Sequence, residues 1–144
     1  MQISETGLDL IKSFELCRLE AFLPTPHDVW TIGWGHTAGV KEGDTCTQEQ
    51  ADEWLKGDVG KSEGCVNGAV TVPMTQGEFD ACVSLCYNIG CTAFRNSTLV
   101  KKLNASDYDG AAAQFQVWNK QNHLELAGLT RRRKAEQELF EATA

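Results

Sequence analysis

The sequence predicts an α+β protein in which a short amphipathic helix leads into a small β lobe and then a run of helices. Three observations carry this expectation. Ile3, Gly7, Leu8, Leu10, Ile11 and Phe14 recur at helical intervals. The run VWTIGWG from Val29 to Gly35 is dense in β-branched and aromatic residues, and Pro24, Pro26, Gly39 and Gly43 surround it. Helical spacing returns at Thr47 and persists, between connectors, to the end of the chain.

In chain order, Ser4 is a plausible N-cap for the first helix, which ends near Phe14 or Glu15. The segment from Arg18 to Gly43 reads as a small twisted hairpin or three-stranded sheet. Thr47-Gln48-Glu49-Gln50 is a capping box, and Ala51, Trp54, Leu55 and Val59 line one face of the helix it opens. Gly64, Asn67, Gly68 and Pro73 read as a connector. Thr75-Gln76-Gly77-Glu78 is a second capping box. It opens a strongly apolar helix carrying Phe79, Cys82, Val83, Cys86 and Ile89, which ends on Gly90 and forms the buried centre of the helical lobe. Ser97 caps a short helix through Leu99, Val100 and Leu103. Asp107 caps the next, which carries Tyr108, Ala111, Ala112, Phe115 and Trp118. Lys120 to Gly128 reads as a polar connector before a final helix with Ala135, Leu139 and Phe140. The chain is expected to be one domain over residues 1–144, with a β lobe at about 18–45 and a helical lobe at about 46–144 plus the N-terminal helix.

Composition narrows the function. The net charge of −7 argues against general nucleic-acid binding, which needs a basic footprint. The one basic run, Arg131-Arg132-Arg133-Lys134, reads as a solvated helix face with acidic partners at Glu136 and Glu138. No window approaches the roughly 18 unbroken apolar residues of a membrane span, so no stable membrane insertion is expected. The N-terminus lacks the pattern of a secretory signal, so synthesis and retention in the cytosol are expected. In that compartment the cysteines at 17, 46, 65, 82, 86 and 91 are expected as free, buried thiols, with a bridge involving Cys46, Cys65 or Cys91 open if the protein works elsewhere. Without C-x-x-C or a His cluster, neither structural zinc nor any other metal or cofactor is expected.

The chemistry concentrates between Phe14 and Thr37. Glu15 follows a helix whose last turn presents unpaired carbonyls and the negative end of the dipole. Such a field, together with shielding by Trp30 or Trp34, favours the protonated carboxyl that a general acid requires. A frayed, solvent-facing glutamate is the plainer alternative. The loop acids Glu20 and Asp28 are the candidates for a second carboxyl, and Thr31 could hold a water. Asp28 also suits a turn, Thr31 suits any strand, and His36 suits a local bond to a backbone group or carboxylate.

These residues occur in an ordered set. Glu15, Arg18-Leu19, Ala21-Phe22 and Trp30-Thr31-Ile32-Gly33-Trp34-Gly35-His36-Thr37 are followed by Val72-Pro73, Thr75-Gln76, Phe79-Asp80-Ala81, Tyr87-Asn88-Ile89-Gly90 and Ser97-Thr98-Leu99. Leu129, Arg131-Arg132 and Leu139-Phe140 complete the set. The pattern resembles the phage-type lysozymes or endolysins of glycoside hydrolase family 24 over essentially the whole chain. The resemblance implies a lysozyme-like fold with two lobes flanking a saccharide cleft. It also implies hydrolysis of the β-1,4 bond between N-acetylmuramic acid and N-acetylglucosamine in peptidoglycan.

Carried over by residue, the resemblance makes Glu15 the catalytic acid and Thr31 the catalytic threonine. The family's aspartate stands nine residues after the glutamate, where this chain has Pro24. Asp28, the loop acid nearest Thr31 in sequence, is therefore expected to supply the second carboxylate. Asn88, Trp34 and His36 are expected to meet substrate, although Asn88 equally suits the end of a helix before Gly90, and Arg131 or Arg132 to reach back and hold Glu15. The absent aspartate keeps two alternatives open: a lytic transglycosylase using Glu15 alone, and a non-catalytic peptidoglycan-binding protein. The resemblance further implies a monomer that a holin releases to the periplasm at lysis, with glycan strands as its partner.

Overall fold

The computed structural model describes residues 1–121 and 123–142. Its contacts divide the chain into two compact units, Met1–Leu10 with Ser62–Ala144, and Ile11–Lys61.

The unit Ile11–Lys61 is built around a β hairpin. The end of helix α1 (Glu5–Phe14) enters it, followed by strands β1 (Arg18–Phe22) and β2 (Thr31–Gly33). The strands pair antiparallel, Arg18 opposite Gly33 and Phe22 opposite Thr31, with an irregularity between the two pairs. An isolated bridge from Glu20 to Thr45 adds a third segment on the other edge of β1. The predicted sheet is thus present but small. Helix α2 (Gln48–Ala69) begins at the predicted capping box: Thr47 Oγ1 accepts from Gln50 N, and Gln50 Oε1 accepts from Thr47 N.

Helix α2 corrects one expectation, because it runs through Gly64, Asn67 and Gly68 as far as Ala69. Each interior glycine costs about 1 kcal/mol relative to alanine. Burial of Ala51, Leu55, Val59, Ser62, Cys65 and Val66 at three- and four-residue spacing offsets that cost.

The other unit is helical. Helix α3 (Gln76–Ile89) is its centre, with every residue from Phe79 to Cys86 buried. Thr75 closes the expected capping box with Glu78, and Gly90 ends the helix at φ +93°. Helices α4 (Cys91–Arg95), α5 (Thr98–Asn104) and α6 (Tyr108–Ala113) follow; Ser97 caps α5 and Asp107 caps α6 as expected. The backbone then tightens into a 3-10 turn over Gln114–Trp118, so the predicted helix stops short of Phe115. Part of the predicted polar connector is a second hairpin, β3 (Lys120–Gln121) with β4 (Leu124–Glu125); Asn122 lies outside the described residues.

Helix α7 (Ala127–Glu141) packs along α3. The close approach requires Gly77, where a Cβ would lie 2.7 Å from the Leu139 carbonyl oxygen. Here the reading of a solvated basic face fails. Arg131 and Lys134 are exposed, but Arg132, Arg133 and Glu136 are buried together. Each guanidinium finds its counter-charge on Glu136 one helical turn away, and Ser84 of α3 donates to the same carboxylate at 2.5 Å.

The cysteines also depart from expectation. Cys65 and Cys91 form a disulfide, while Cys17, Cys46, Cys82 and Cys86 are free. Cys82 and Cys86 are buried on α3 as predicted, and burial pushes both thiols up.

Candidate active site

The candidate catalytic residues Glu15, Asp28 and Thr31 all lie in the unit Ile11–Lys61. Glu15 follows the last residue of α1, and its N–H still donates to the Ile11 carbonyl at 3.1 Å. It is half-buried rather than frayed. Lys12, one turn earlier on the same helical face, places its ammonium 5.7 Å from the centre of a Trp34 ring. The last turn of α1 is thereby fixed against the tip of the hairpin.

That tip is a tight reversal, in which Ile32 and His36 exchange two backbone hydrogen bonds of 2.9 Å. Gly33 (φ +64°) and Gly35 (φ +101°) provide the left-handed conformations this reversal needs. It projects Trp34 and His36 toward the first turns of α2. Trp34 Nε1 donates to Asp52 Oδ1 at 2.8 Å, and Lys12 and Gln48 also reach this oxygen, at 3.5 and 3.1 Å. The indole N–H is the main reason the Asp52 carboxyl is held below its usual range; slight burial opposes it, and Gln48 and Lys12 assist. His36 Nδ1 lies 2.8 Å from Asp58 Oδ2, and its ring stacks on Trp54 at 4.7 Å between centroids. The local carboxylate bond considered for His36 is therefore formed, and both ring residues are anchored to α2.

The loop between the strands holds the other candidates. Asp28 N donates to the Thr25 carbonyl at 3.0 Å, closing a turn with Pro26 at its second position, where the proline ring presets φ. Asp28 is exposed, and its Oδ1 accepts from Val29 N at 2.9 Å. Thr31 is buried at the start of β2, and its hydroxyl donates to the Val29 carbonyl at 3.0 Å. Because a carbonyl can only accept, the Thr31 proton is committed there and its oxygen lone pairs remain for a donor such as water. A concavity of about 650 Å³ beside β1 is lined by Arg18, Glu20, Thr45 and Cys46 among others, and its lining does not include Glu15, Asp28 or Thr31.

The remaining candidates lie in the helical unit. Asn88 is exposed on the last turn of α3, with its Oδ1 bonded to Arg133 Nη2 at 2.9 Å. Arg131 is exposed, and Arg132 is buried against Glu136 and the Ser84 carbonyl. Asp52 and Asp58 were not singled out from the sequence, and Arg133 and Glu136 were read there only as parts of a solvated helix face. The last pair carried a signal in its i, i+3 spacing, but Asp52 and Asp58 look like ordinary polar positions of a helix. Among the described residues, no group of three or more His, Cys, Asp or Glu could hold a metal ion.

This α+β arrangement is that of a lysozyme-type glycoside hydrolase. The family model "Phage lysozyme" matches residues 12–136. An endolysin of Acyrthosiphon pisum secondary endosymbiont phage 1 is 47% identical over 99% of both chains, and one of Salmonella phage P22 is 39% identical over 97% of this chain and 98% of its own. Among solved structures, the muramidase domain of SpmX from Asticaccaulis excentricus superposes with a TM-score of 0.92 at 40% identity, covering 99% of both chains. The chain belongs to the phage lysozyme family, and the expected lysozyme-like fold is the fold observed.

Proposed function

We propose that this protein is an endolysin, an N-acetylmuramidase that hydrolyses the β-1,4 bonds of peptidoglycan and so lyses the host cell. The observation carrying the reading is one compact unit that holds Glu15 at a helix end and a buried Thr31 on a hairpin, in a chain so similar to endolysins along its length.

Glu15 donates its proton to the leaving glycosidic oxygen as the bond to the muramic acid anomeric carbon breaks. Positive charge develops on that carbon and its ring oxygen. Thr31 accepts a hydrogen bond from the attacking water, and Asp28 takes the proton the water loses or stabilises the cation. Trp34 and His36, held by Asp52 and Asp58, shape the hairpin tip that meets the glycan, and Asn88 contacts sugar amides. The protein acts as a monomer on glycan strands and stays in the host cytoplasm until a holin opens a path to the periplasm. Among the described residues, no helix is long and apolar enough to cross a membrane.

Pro24 at the family's aspartate position favours one second reading, a lytic transglycosylase in which the substrate's own hydroxyl replaces water. Mass spectrometry of released muropeptides separates the two. Hydrolysis gives reducing ends, whereas 1,6-anhydro ends would replace this proposal with the second reading.

A further inference from the structure

We propose that Arg133 is a positioning residue: it fixes the Asn88 carboxamide so that the glycan meets a hydrogen-bond donor there. This rests on the muramidase reading above. Arg133 is fully buried, whereas Asn88 is exposed. A guanidinium carries donors and no acceptor, so the 2.9 Å bond from Arg133 Nη2 obliges Asn88 to turn its oxygen inward. Its Nδ2, with two N–H groups and no partner among the described residues, is left at the exposed end.

The anchor behind this bond is buried. Arg133 Nε lies 2.8 Å from Glu136 Oε1, but neither atom is aligned for a directed hydrogen bond, so this is an ionic contact. The directed bond from Nη2 to Glu136 Oε2 is longer, at 3.4 Å, which leaves Asn88 as the shortest directed partner of the guanidinium. Ser84 Oγ and Arg132 Nε hold Glu136 in turn, at 2.5 and 3.3 Å. The chain of contacts Ser84–Glu136–Arg133–Asn88 thus runs from the helical core to the surface. A lysine at 133 would present a point charge instead of the planar fork that makes both contacts.

A fixed donor selects an acceptor. Among the groups of the sugars themselves, the N-acetyl carbonyl oxygens are the strongest neutral acceptors, and one of these is the group Asn88 reads.

Peptidoglycan turnover is measured for the wild type, Asn88→Asp, Arg133→Lys, Asn88→Ala and the double variant Asn88→Ala/Arg133→Lys, on native and chemically de-N-acetylated substrate. Co-sedimentation with insoluble peptidoglycan and thermal melts accompany it. Asn88→Asp keeps the bond to Arg133 but loses the donor, and should raise KM about three- to tenfold with kcat changed less than about twofold. Arg133→Lys should raise KM similarly in the wild type and add nothing in the Asn88→Ala background. De-N-acetylation should weaken the wild type more than Asn88→Asp. An unchanged KM in Arg133→Lys, or an equal rise with and without Asn88, would overturn the assignment. If Arg133→Lys does not fold, the comparison of wild type with Asn88→Asp on the two substrates decides alone, and equal losses overturn the assignment. The expected binding pattern without any turnover would support it while removing the muramidase reading.

Discussion

Asp28 and Thr31 hold the same residue from opposite sides: Val29 donates its N–H to Asp28 Oδ1 at 2.9 Å, and its carbonyl accepts from the Thr31 hydroxyl at 3.0 Å. The link ties an exposed loop carboxylate to a buried strand residue. It also dictates what the threonine can do, since its proton is already placed. Thr31→Val should lower kcat about ten- to a hundredfold while shifting stability by no more than about 1 kcal/mol, because Val29 is exposed and water replaces the lost donor. Thr31→Ser should retain most of the activity. Steady-state turnover with a parallel melt checks both; equal kcat for the valine and serine variants would remove the hydroxyl from the mechanism.

The bond from Trp34 to Asp52 makes the hairpin tip sensitive to acid. The Asp52 carboxyl is held below its usual range in the folded state, so its contribution is present above the unfolded value of about 3.9 and is lost as pH falls through the lower folded value. Asp52→Asn should therefore reduce the loss of melting temperature on acidification below about pH 4, relative to the wild type. Its effect near neutral pH should be small, because the Asp52 side chain is 37% exposed and its pairing with Lys12 is screened. Parallel wild-type and variant curves below that pH would contradict the prediction.

Glu136 lies between two buried guanidiniums. Its removal leaves the buried Arg133 guanidinium without its counter-charge, so Glu136→Gln should destabilise the protein by about 3–5 kcal/mol in chemical denaturation. A loss below about 1 kcal/mol would mean that Arg133 is solvated after all.

The Cys65–Cys91 bond closes a loop with a sequence separation of 26. Chain entropy alone assigns such a cross-link about 3 kcal/mol, or roughly 10 °C of melting temperature at this chain length. Reductant should lower the melting point by about that amount, and should do nothing further to a Cys65→Ala/Cys91→Ala variant. An equal effect of reductant on both proteins would rule out this disulfide as the cause.

What could be read from the sequence was local. The capping boxes at Thr47 and Thr75 and the caps at Ser97 and Asp107 depend on residues within one helical turn, and all four form. The ordered residues around Glu15 and Thr31 pointed to the family for the same reason. What was not legible depends on distant parts of the chain. Gly64 and Gly68 suggested a break in α2 because burial of Ser62, Cys65 and Val66 is a tertiary fact. The arginine run resembled a surface because nothing local reveals that Ser84 of α3 meets Glu136. Likewise, Asp52 and Asp58 acquire their partners only once the hairpin tip lies on α2.

The central claim is that Glu15 supplies the proton that breaks the glycosidic bond. Turnover of purified peptidoglycan by Glu15→Gln tests it most directly, with a thermal melt to establish that the variant is folded. The amide preserves shape and cannot act as the acid, so kcat should fall about 10²- to 10⁴-fold at an unchanged melting point. A folded Glu15→Gln variant that turns over peptidoglycan at the wild-type rate would contradict the claim.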